Sequence, residues 1–182
     1  MNLSLDEVTE RARRIRLLLT DCDGVLTDGG VRYFSDGERT RGEINVFHIH
    51  DGLGLRLAHA AGLKLGLISG RLSPTVAERA RELGLDHIHQ GVENKLEVYE
   101  RIRETEKLRH EEIAYLGDDL PDLPLLCRAG LGITVADAVS EVRQRAHFIT
   151  ERRGGRGAVR EAVELILKAQ GLWEKVIERY LM

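Results

Sequence analysis

Short runs of apolar residues alternate along this chain with longer segments in which apolar positions recur at helical spacing. The clearest runs cover residues 16–20, 65–70 and 113–118, and weaker ones cover residues 131–135 and 147–150. A short apolar run that stops at a polar, glycine-containing loop is typical of a strand buried on both faces of a parallel sheet. The pattern therefore predicts a series of such strands.

The segments between these runs predict helices. They cover residues 4–15, 53–61, 74–83, 94–108, 138–145 and 158–169. Strands and helices that alternate in this way favour right-handed βαβ units and a parallel sheet covered on both faces. We therefore predict a single α/β domain over residues 1–182, built on a doubly wound, mostly parallel, Rossmann-like sheet.

One segment departs from this alternation. Two stretches rich in β-forming residues flank Asp36-Gly37, a dipeptide that favours a tight turn. They predict a small β-hairpin insert over residues 29–50, after the first strand. At the other end of the chain, residues 154–182 are predicted to form a mobile glycine-rich joint and a C-terminal helical tail.

Composition narrows the possible partners and the compartment. The chain of 182 residues has a net charge of −3 and only 4% aromatic residues, so neither a basic field nor stacking platforms favour nucleic-acid binding. Its apolar runs are too short to span a membrane. Two cysteines, Cys22 and Cys127, and an acidic N-terminus unlike a secretory signal predict a reduced, cytoplasmic protein.

Polar, chemically active groups follow three of the predicted buried strands. They are Asp21-Cys22-Asp23-Gly24, Ser69-Gly70-Arg71 and Gly117-Asp118-Asp119, and Lys95 begins a later helix. The carboxyl ends of parallel strands meet at one edge of a sheet, where ligands bind in open α/β folds. We therefore expect these four groups to converge.

Phosphoryl transfer is the chemistry that requires such a set. Carboxylates from separate strands can hold Mg²⁺, which neutralises a phosphate so that a carboxylate nucleophile can attack phosphorus. A second carboxylate, Asp23, can protonate the leaving alkoxide and later activate water. Groups suited to binding phosphoryl oxygens are the Ser69 hydroxyl, the backbone amides at Gly24 and Gly70, and the Lys95 ammonium.

These motifs resemble those of the haloacid dehalogenase (HAD) superfamily. The four matching motifs, in order, are Asp21-Cys22-Asp23-Gly24-Val25-Leu26-Thr27-Asp28-Gly29, Ser69-Gly70-Arg71, Lys95 and Gly117-Asp118-Asp119-Leu120-Pro121-Asp122. More narrowly, residues 46–54, Gln90-Gly91 and residues 154–161 resemble the phosphatases of 3-deoxy-D-manno-octulosonate 8-phosphate (KDO 8-phosphate), over residues 16–171. The resemblance implies hydrolysis of KDO 8-phosphate to KDO and phosphate, in lipopolysaccharide precursor synthesis.

The resemblance also implies roles for individual residues. Asp21 would be the nucleophile and Asp23 the general acid and base. Mg²⁺ would be held by the Asp21 and Asp118 carboxylates and the Asp23 backbone carbonyl. Asp122 would support these groups from behind. Substrate contacts would come from His48, Ile49, His50, Asp51, Gly52, Arg56, Arg71, Arg79, Lys95 and Asp119.

The resemblance extends to the assembly. Members of the group have no large cap domain and form homotetramers, in which hairpins and C-terminal segments of neighbouring subunits close each site. It therefore implies a small sugar-acid phosphate and further copies of this chain as the partners.

One residue departs from the pattern of the group. Arginine usually precedes the Asp-Gly that follows the hairpin, and this chain has His50 there. Imidazole binds a carboxylate well only when it is protonated, whereas arginine is permanently charged and bidentate. A related substrate, such as a nonulosonate 9-phosphate, therefore remains an alternative.

Two alternatives of other classes also remain. A signalling receiver domain uses a similar set of groups, but its acidic pair ends the first strand, whereas Asp118-Asp119 comes late here. A non-catalytic HAD-like oligomerisation domain is the other alternative, against which the complete acidic set and Lys95 count.

Overall fold

The computed structural model describes residues 3–181. The α-helices are Leu5–Ala12 (α1), Ile49–Ala60 (α2), Pro74–Glu82 (α3), Lys95–Thr105 (α4), Leu123–Arg128 (α5), Ser140–Arg143 (α6), Ala158–Ala169 (α7) and Trp173–Ile177 (α8). The strands are Leu17–Thr20 (β1), Arg32–Ser35 (β2), Thr40–Ile44 (β3), Lys64–Ile68 (β4), His87–His89 (β5), Ile113–Gly117 (β6), Leu131–Thr134 (β7) and Phe148–Ile149 (β8). Short 3₁₀ turns occur at His110–Glu112, Leu120–Asp122 and Glu178–Tyr180.

Six strands form one sheet in the order β5-β4-β1-β6-β7-β8, and every neighbouring pair is parallel. The central strand β1 is buried along its whole length. Its last residue, Thr20, pairs with Leu67 of β4 on one side and Leu116 of β6 on the other. The predicted α/β fold with a doubly wound parallel sheet is confirmed.

The helices cover this sheet with aliphatic side chains. Helices α2 and α7 pack closely on each other, and α1 packs on α7. Buried residues of α7, among them Val159, Val163 and Ile166, recur at helical spacing along the face that meets the core. The predicted bounds of α7 agree with the structure, while those of α1, α3, α4 and α6 are longer than the observed helices by one to several residues.

Strands β2 and β3 form a separate antiparallel hairpin with an irregular register at Phe34/Ser35. The predicted insert is confirmed, but its second arm is shorter than expected, because the strand ends at Ile44 and α2 begins at Ile49. The prediction that α2 starts only at residue 53 is wrong. Gly52 and Gly54 interrupt the helical pattern of apolar residues in the sequence. Both glycines allow close packing, because a Cβ at Gly52 would meet the Arg79 guanidinium and a Cβ at Gly54 would meet the Arg160 backbone.

The glycine-rich joint before α7 is packed, which contradicts the prediction that it is mobile. A Cβ on Gly154 would overlap the carbonyl oxygen of Gly24. The Gly155 amide donates to the Val25 carbonyl at 2.8 Å, and the Gly157 amide donates to Oδ2 of Asp51 at 3.0 Å. This joint therefore lies directly against the loop that follows β1.

None of the helices within residues 3–181 combines the length and the apolar content that crossing a membrane requires.

Candidate active site

The loops after β1, β4 and β6 meet at the carboxyl edge of the sheet because these three strands are neighbours. Asp21 follows β1 directly, and its amide donates to the Leu116 carbonyl at 2.9 Å. Ser69 follows β4, and Asp118 follows β6. Lys95 is the first residue of α4, where Asn94 caps the helix by accepting from the Glu97 amide. The expected convergence of the four groups is therefore present.

Three carboxylates crowd this edge around one ammonium group. Asp21, Asp118 and Asp122 each place an oxygen within 4.8 Å of the others. Lys95 Nζ lies 2.9 Å from Oδ2 of Asp21 and 2.7 Å from Oδ1 of Asp122. Asp21, Lys95 and Asp122 are all buried. With the carboxylates ionised, the cluster carries more negative charge than Lys95 can neutralise.

The crowding is reflected in the acid–base properties of the cluster. Burial, followed by repulsion from Asp21, Asp122 and the neighbouring Asp119, raises the pKa of Asp118 to about 8. Burial and the charge of Asp122 also raise the pKa of Asp21. Burial alone would lower the pKa of Lys95, but attraction to Asp21 and Asp122 outweighs it and raises that pKa.

The residues at this edge suit a divalent cation. Among the described residues, Oδ1 of Asp118 is buried without a hydrogen-bond partner. Gly24 has a left-handed φ of +83°, and any side chain there would overlap Oδ2 of Asp118. Carboxylate oxygens with surplus negative charge are the ligands that Mg²⁺ prefers. The side chains that would hold it are Asp21 and Asp118, as the sequence predicts.

Asp122 belongs to the same cluster but has no oxygen to spare for a metal. Its Oδ1 accepts from Lys95 and, at 2.6 Å, from the hydroxyl of Tyr115. Its Oδ2 accepts from the amides of Asp118 at 3.0 Å and Asp119 at 3.2 Å. Asp122 thus holds Lys95 and the backbone that carries Asp118. Tyr115 was missed from the sequence, although it is the single polar side chain within an otherwise apolar strand.

Asp23 lies at the half-exposed side of the cluster, next to Arg71. Nε of Arg71 is 3.6 Å from Oδ2 of Asp23. The same guanidinium donates to Oε2 of Glu43 on β3 at 2.5 Å. Glu43 was also missed, because its link to Arg71 joins residues 28 positions apart.

The residues predicted to bind phosphate follow β4 or lie near the carboxyl edge of the sheet. Ser69 is buried, and its Oγ accepts from the Arg71 amide at 3.3 Å. Gly70 is exposed, and a Cβ there would meet only the Val92 carbonyl, at 3.7 Å. The backbone at Gly70 is therefore open to a ligand, and Lys95 lies nearby at the start of α4.

The residues expected to contact the substrate from the end of the hairpin lie instead at the start of α2. His48 is its N-cap residue, and Ile49 and His50 are exposed. Asp51 is buried and accepts from the amides of Gly157 and Arg160, at 3.0 and 2.8 Å. Asp51 therefore caps α7, and Gly52 packs against Arg79. Both residues thus have structural roles within the chain, and their contact with the substrate stays a prediction.

Three further candidates for substrate contact are Arg56, Arg79 and Asp119. Arg56 is exposed and lines a surface cleft with His59 and Arg81. Arg79 lies over the Phe47 ring at 5.9 Å and pairs with Glu82. Asp119 caps the following 3₁₀ turn by accepting from the Leu120 amide. Within one chain, neither Arg56 nor Arg79 joins the carboxylate cluster.

Comparison with known proteins places the chain among phosphatases. The haloacid dehalogenase-like hydrolase family matches residues 85–162. The 3-deoxy-D-manno-octulosonate 8-phosphate phosphatase KdsC of Yersinia pestis is 41% identical over 165 residues, which are 91% of this chain and 86% of that protein. KdsC of Escherichia coli K12 is also 41% identical over 165 residues, with the same coverage.

Solved structures agree with the sequence matches. The crystal structure of a probable YrbI family phosphatase from Pseudomonas syringae has a TM-score of 0.93 and 45% identity, covering 97% of this chain and 98% of that one. The 3-deoxy-D-manno-octulosonate 8-phosphate phosphatase of Moraxella catarrhalis, in complex with magnesium, phosphate and KDO, has a TM-score of 0.92 and 40% identity, covering 97% and 99%. The similarity therefore extends over nearly the whole of both chains.

Proposed function

We propose that this chain, which belongs to the haloacid dehalogenase-like hydrolases and within them to the group of KDO 8-phosphate phosphatases, hydrolyses KDO 8-phosphate to KDO and inorganic phosphate. The observation that carries the proposal is the cluster of Asp21, Asp118 and Lys95, of which Asp21 and Lys95 are buried, in a chain similar throughout to a phosphatase solved with magnesium, phosphate and KDO. Membership of this family excludes the receiver-domain alternative.

The reaction proceeds in two halves through the side chains that follow β1. Asp21 attacks phosphorus and forms an aspartyl phosphate, while Asp23 protonates the departing sugar oxygen. Asp23 then takes a proton from water, and the resulting nucleophile attacks phosphorus and releases phosphate from Asp21. A bound Mg²⁺ would neutralise the charge between the phosphate and the carboxylates of Asp21 and Asp118.

Several groups hold the transferring phosphoryl group in place. The Ser69 hydroxyl and the Gly70 and Gly24 amides surround the edge of the sheet where its oxygens would lie. Lys95, 2.9 Å from Asp21, supplies positive charge as the charge on those oxygens develops. Arg71 holds Asp23 from the open side of the site.

The identity of the sugar acid depends on how its carboxylate is recognised. His50 replaces the arginine of the group and lies exposed on the first turn of α2, lining a cleft with Arg152 and Arg160. Arg71 is a permanent cation, with its Nε 3.6 Å from Oδ2 of Asp23. Because His50 stands where the group has an arginine, recognition of the substrate carboxylate can differ here. A nonulosonate 9-phosphate is therefore the second candidate substrate.

We further propose that the protein acts in the cytoplasm, in lipopolysaccharide precursor synthesis, as a homotetramer. The hairpin supports self-association, because Tyr33, Phe34 and Ile44 are each more than half exposed on it. Exposed aromatic and aliphatic side chains on so small an element are typical of an interface. A neighbour's hairpin seated over the carboxyl edge would shield the carboxylate cluster from bulk solvent.

Phosphate release from a panel of substrates tests the function. The panel contains KDO 8-phosphate, a nonulosonate 9-phosphate and glucose 6-phosphate, each with Mg²⁺ and with EDTA. We expect the highest kcat/KM for KDO 8-phosphate, loss of activity with EDTA, and no turnover by Asp21→Asn. A preference for glucose 6-phosphate would overturn the substrate assignment, and wild-type activity of Asp21→Asn would overturn the nucleophile.

A further inference from the structure

We propose that Tyr115 is a positioning residue for this reaction: its hydroxyl fixes the Asp122 carboxylate, which in turn fixes Lys95 against Asp21. The inference rests on the proposed phosphatase function and extends it to a residue that contacts neither the phosphate nor the nucleophile.

The hydrogen bonds form one continuous chain. Tyr115 lies in the middle of β6 and is fully buried. Its hydroxyl donates to Oδ1 of Asp122 at 2.6 Å, and the same oxygen accepts from Lys95 Nζ at 2.7 Å. Lys95 then reaches Oδ2 of Asp21 at 2.9 Å. Tyr115 is therefore linked to the nucleophile through two intervening side chains.

Asp122 is satisfied only when all of its donors are present. A carboxylate offers about four acceptor positions. The Asp122 oxygens receive four donors: Tyr115, Lys95 and the amides of Asp118 and Asp119. Because Asp122 has no exposed surface, water from the bulk does not reach it to replace a lost donor. Removal of the Tyr115 hydroxyl leaves one acceptor position unfilled.

Because Tyr115 and Lys95 share one oxygen of Asp122, loss of the Tyr115 hydroxyl also affects the contact between Lys95 and Asp21. Tyr115 and Lys95 both donate to Oδ1, so the hydroxyl offsets part of the negative charge that would otherwise draw Lys95 toward Asp122. Without the hydroxyl, the ammonium shifts toward Asp122 and away from Asp21. A small displacement of a charged group from the reacting atoms lowers the rate of the chemical step more than it weakens substrate binding.

A second buried tyrosine provides a matched control. Tyr99 on α4 is also fully buried, and its hydroxyl contacts Nδ1 of His110 at 3.0 Å, with no bond to the carboxylate cluster within the described part of the chain. Tyr115→Phe and Tyr99→Phe thus remove the same atom from two buried tyrosines, of which only Tyr115 is connected to Asp122.

Steady-state kinetics with KDO 8-phosphate and Mg²⁺ test the proposal. We expect Tyr115→Phe to lower kcat about tenfold with KM within about twofold of wild type, and Tyr99→Phe to keep kcat within about twofold. A kcat for Tyr115→Phe equal to that of Tyr99→Phe, or a change in KM alone, would overturn the positioning role. Thermal unfolding of both variants shows whether their folds are equally intact.

A second measurement does not depend on catalysis. Reductive methylation of the free protein, followed by mass spectrometry, reports how firmly the Lys95 amine is held. We expect Lys95 to react about threefold more slowly in Tyr115→Phe than in wild type or Tyr99→Phe, because the ammonium is drawn closer to Asp122 once the hydroxyl no longer offsets the charge of that carboxylate. Equal rates in all three proteins would overturn the inference. If the wild type hydrolyses no sugar-acid phosphate, the proposed function fails, and this comparison still decides the role of Tyr115.

Discussion

Asp118 is unfavourable in the metal-free protein but well suited to binding a divalent cation. Its carboxylate lies among Asp21, Asp119 and Asp122, and its Oδ1 has no partner within the described residues. A group in this position is unfavourable for the metal-free fold, because burial and like charges oppose its ionisation. The same properties make it a strong ligand once a divalent cation is present.

Asp118→Asn is therefore expected to stabilise the metal-free protein and to abolish Mg²⁺-dependent activity. The raised pKa means that folded Asp118 holds a proton that the unfolded chain releases between about pH 4 and pH 8. Wild-type stability then falls as pH rises through this window. Urea unfolding should show the variant more stable by about 1–3 kcal/mol at pH 8, and by less at pH 6.

The matched control for this prediction is Asp119→Asn, which changes the exposed neighbour and keeps an oxygen to cap the 3₁₀ turn. We expect it to change stability by less than about 0.5 kcal/mol at either pH. Equal stability of Asp118→Asn and wild type at pH 8 would contradict the proposed cost of ionising Asp118 in the metal-free fold.

Magnesium affinity should depend on pH for the same reason. Below the raised pKa of about 8, Asp118 of the metal-free protein is protonated, and Mg²⁺ must displace that proton. The apparent affinity is expected to rise by up to about tenfold per pH unit between pH 6 and pH 8, and to level off above. Calorimetric titrations in buffers of different ionisation enthalpy measure both the affinity and the proton release. A pH-independent affinity would show that no carboxyl proton is displaced.

At the scale of elements, Asp51 links two helices that are distant in sequence. Asp51 lies in the first turn of α2. Its carboxylate accepts hydrogen bonds from two backbone amides at the start of α7, more than 100 residues away. A carboxylate at a helix N-terminus satisfies free amides and complements the helix dipole. The packing of α2 on α7 is thereby fixed at the end nearest the site.

Asp51→Asn tests whether this residue supports the fold or binds substrate. Asparagine retains one acceptor oxygen, so we expect a loss of about 1–2 kcal/mol in the free energy of unfolding. KM for KDO 8-phosphate should stay within about twofold of wild type. An increase in KM of more than about tenfold with unchanged stability would instead make Asp51 a substrate contact.

Elements with a strong local pattern were predictable from the sequence, and those set by distant contacts were not. The apolar runs at β1, β4 and β6 were clear because both faces of these strands are buried. The start of α2 was misplaced because Gly52 and Gly54 are used for packing against Arg79 and Arg160, which no local pattern reveals.

The candidate site divides in the same way. Asp21, Ser69, Lys95 and Asp118 were predicted because each follows a buried strand or begins a helix. The roles of Glu43 and Asp51 depend on partners 28 and more than 100 positions away, which a single sequence does not indicate.

At the scale of the whole molecule, the packing of a single chain does not explain why the hairpin carries exposed apolar side chains. Tyr33 is 65% exposed and Phe34 is 51% exposed on an element that contributes little to the core. Association through this element would bury these side chains and bring a second chain close to the carboxyl edge of the sheet.

Tyr33→Glu is expected to shift the proposed homotetramer toward smaller species, because it places a charge within the proposed interface. Size-exclusion chromatography with light scattering measures the mass, and Leu5→Glu, which changes an equally exposed apolar residue on α1, is the control. A tetramer that withstands Tyr33→Glu, or one that only Leu5→Glu dissociates, would place the interface elsewhere.

The proposed mechanism requires Asp21 to be phosphorylated beside a cation that it shares with Asp118. A crystal structure of the protein with Mg²⁺ and beryllium fluoride, which mimics an aspartyl phosphate, measures this directly. We expect beryllium bonded to an Asp21 oxygen, Mg²⁺ bound by Asp21 and Asp118, and Lys95 against a fluoride. Beryllium on any other carboxylate, or Mg²⁺ bound away from Asp118, would contradict the account.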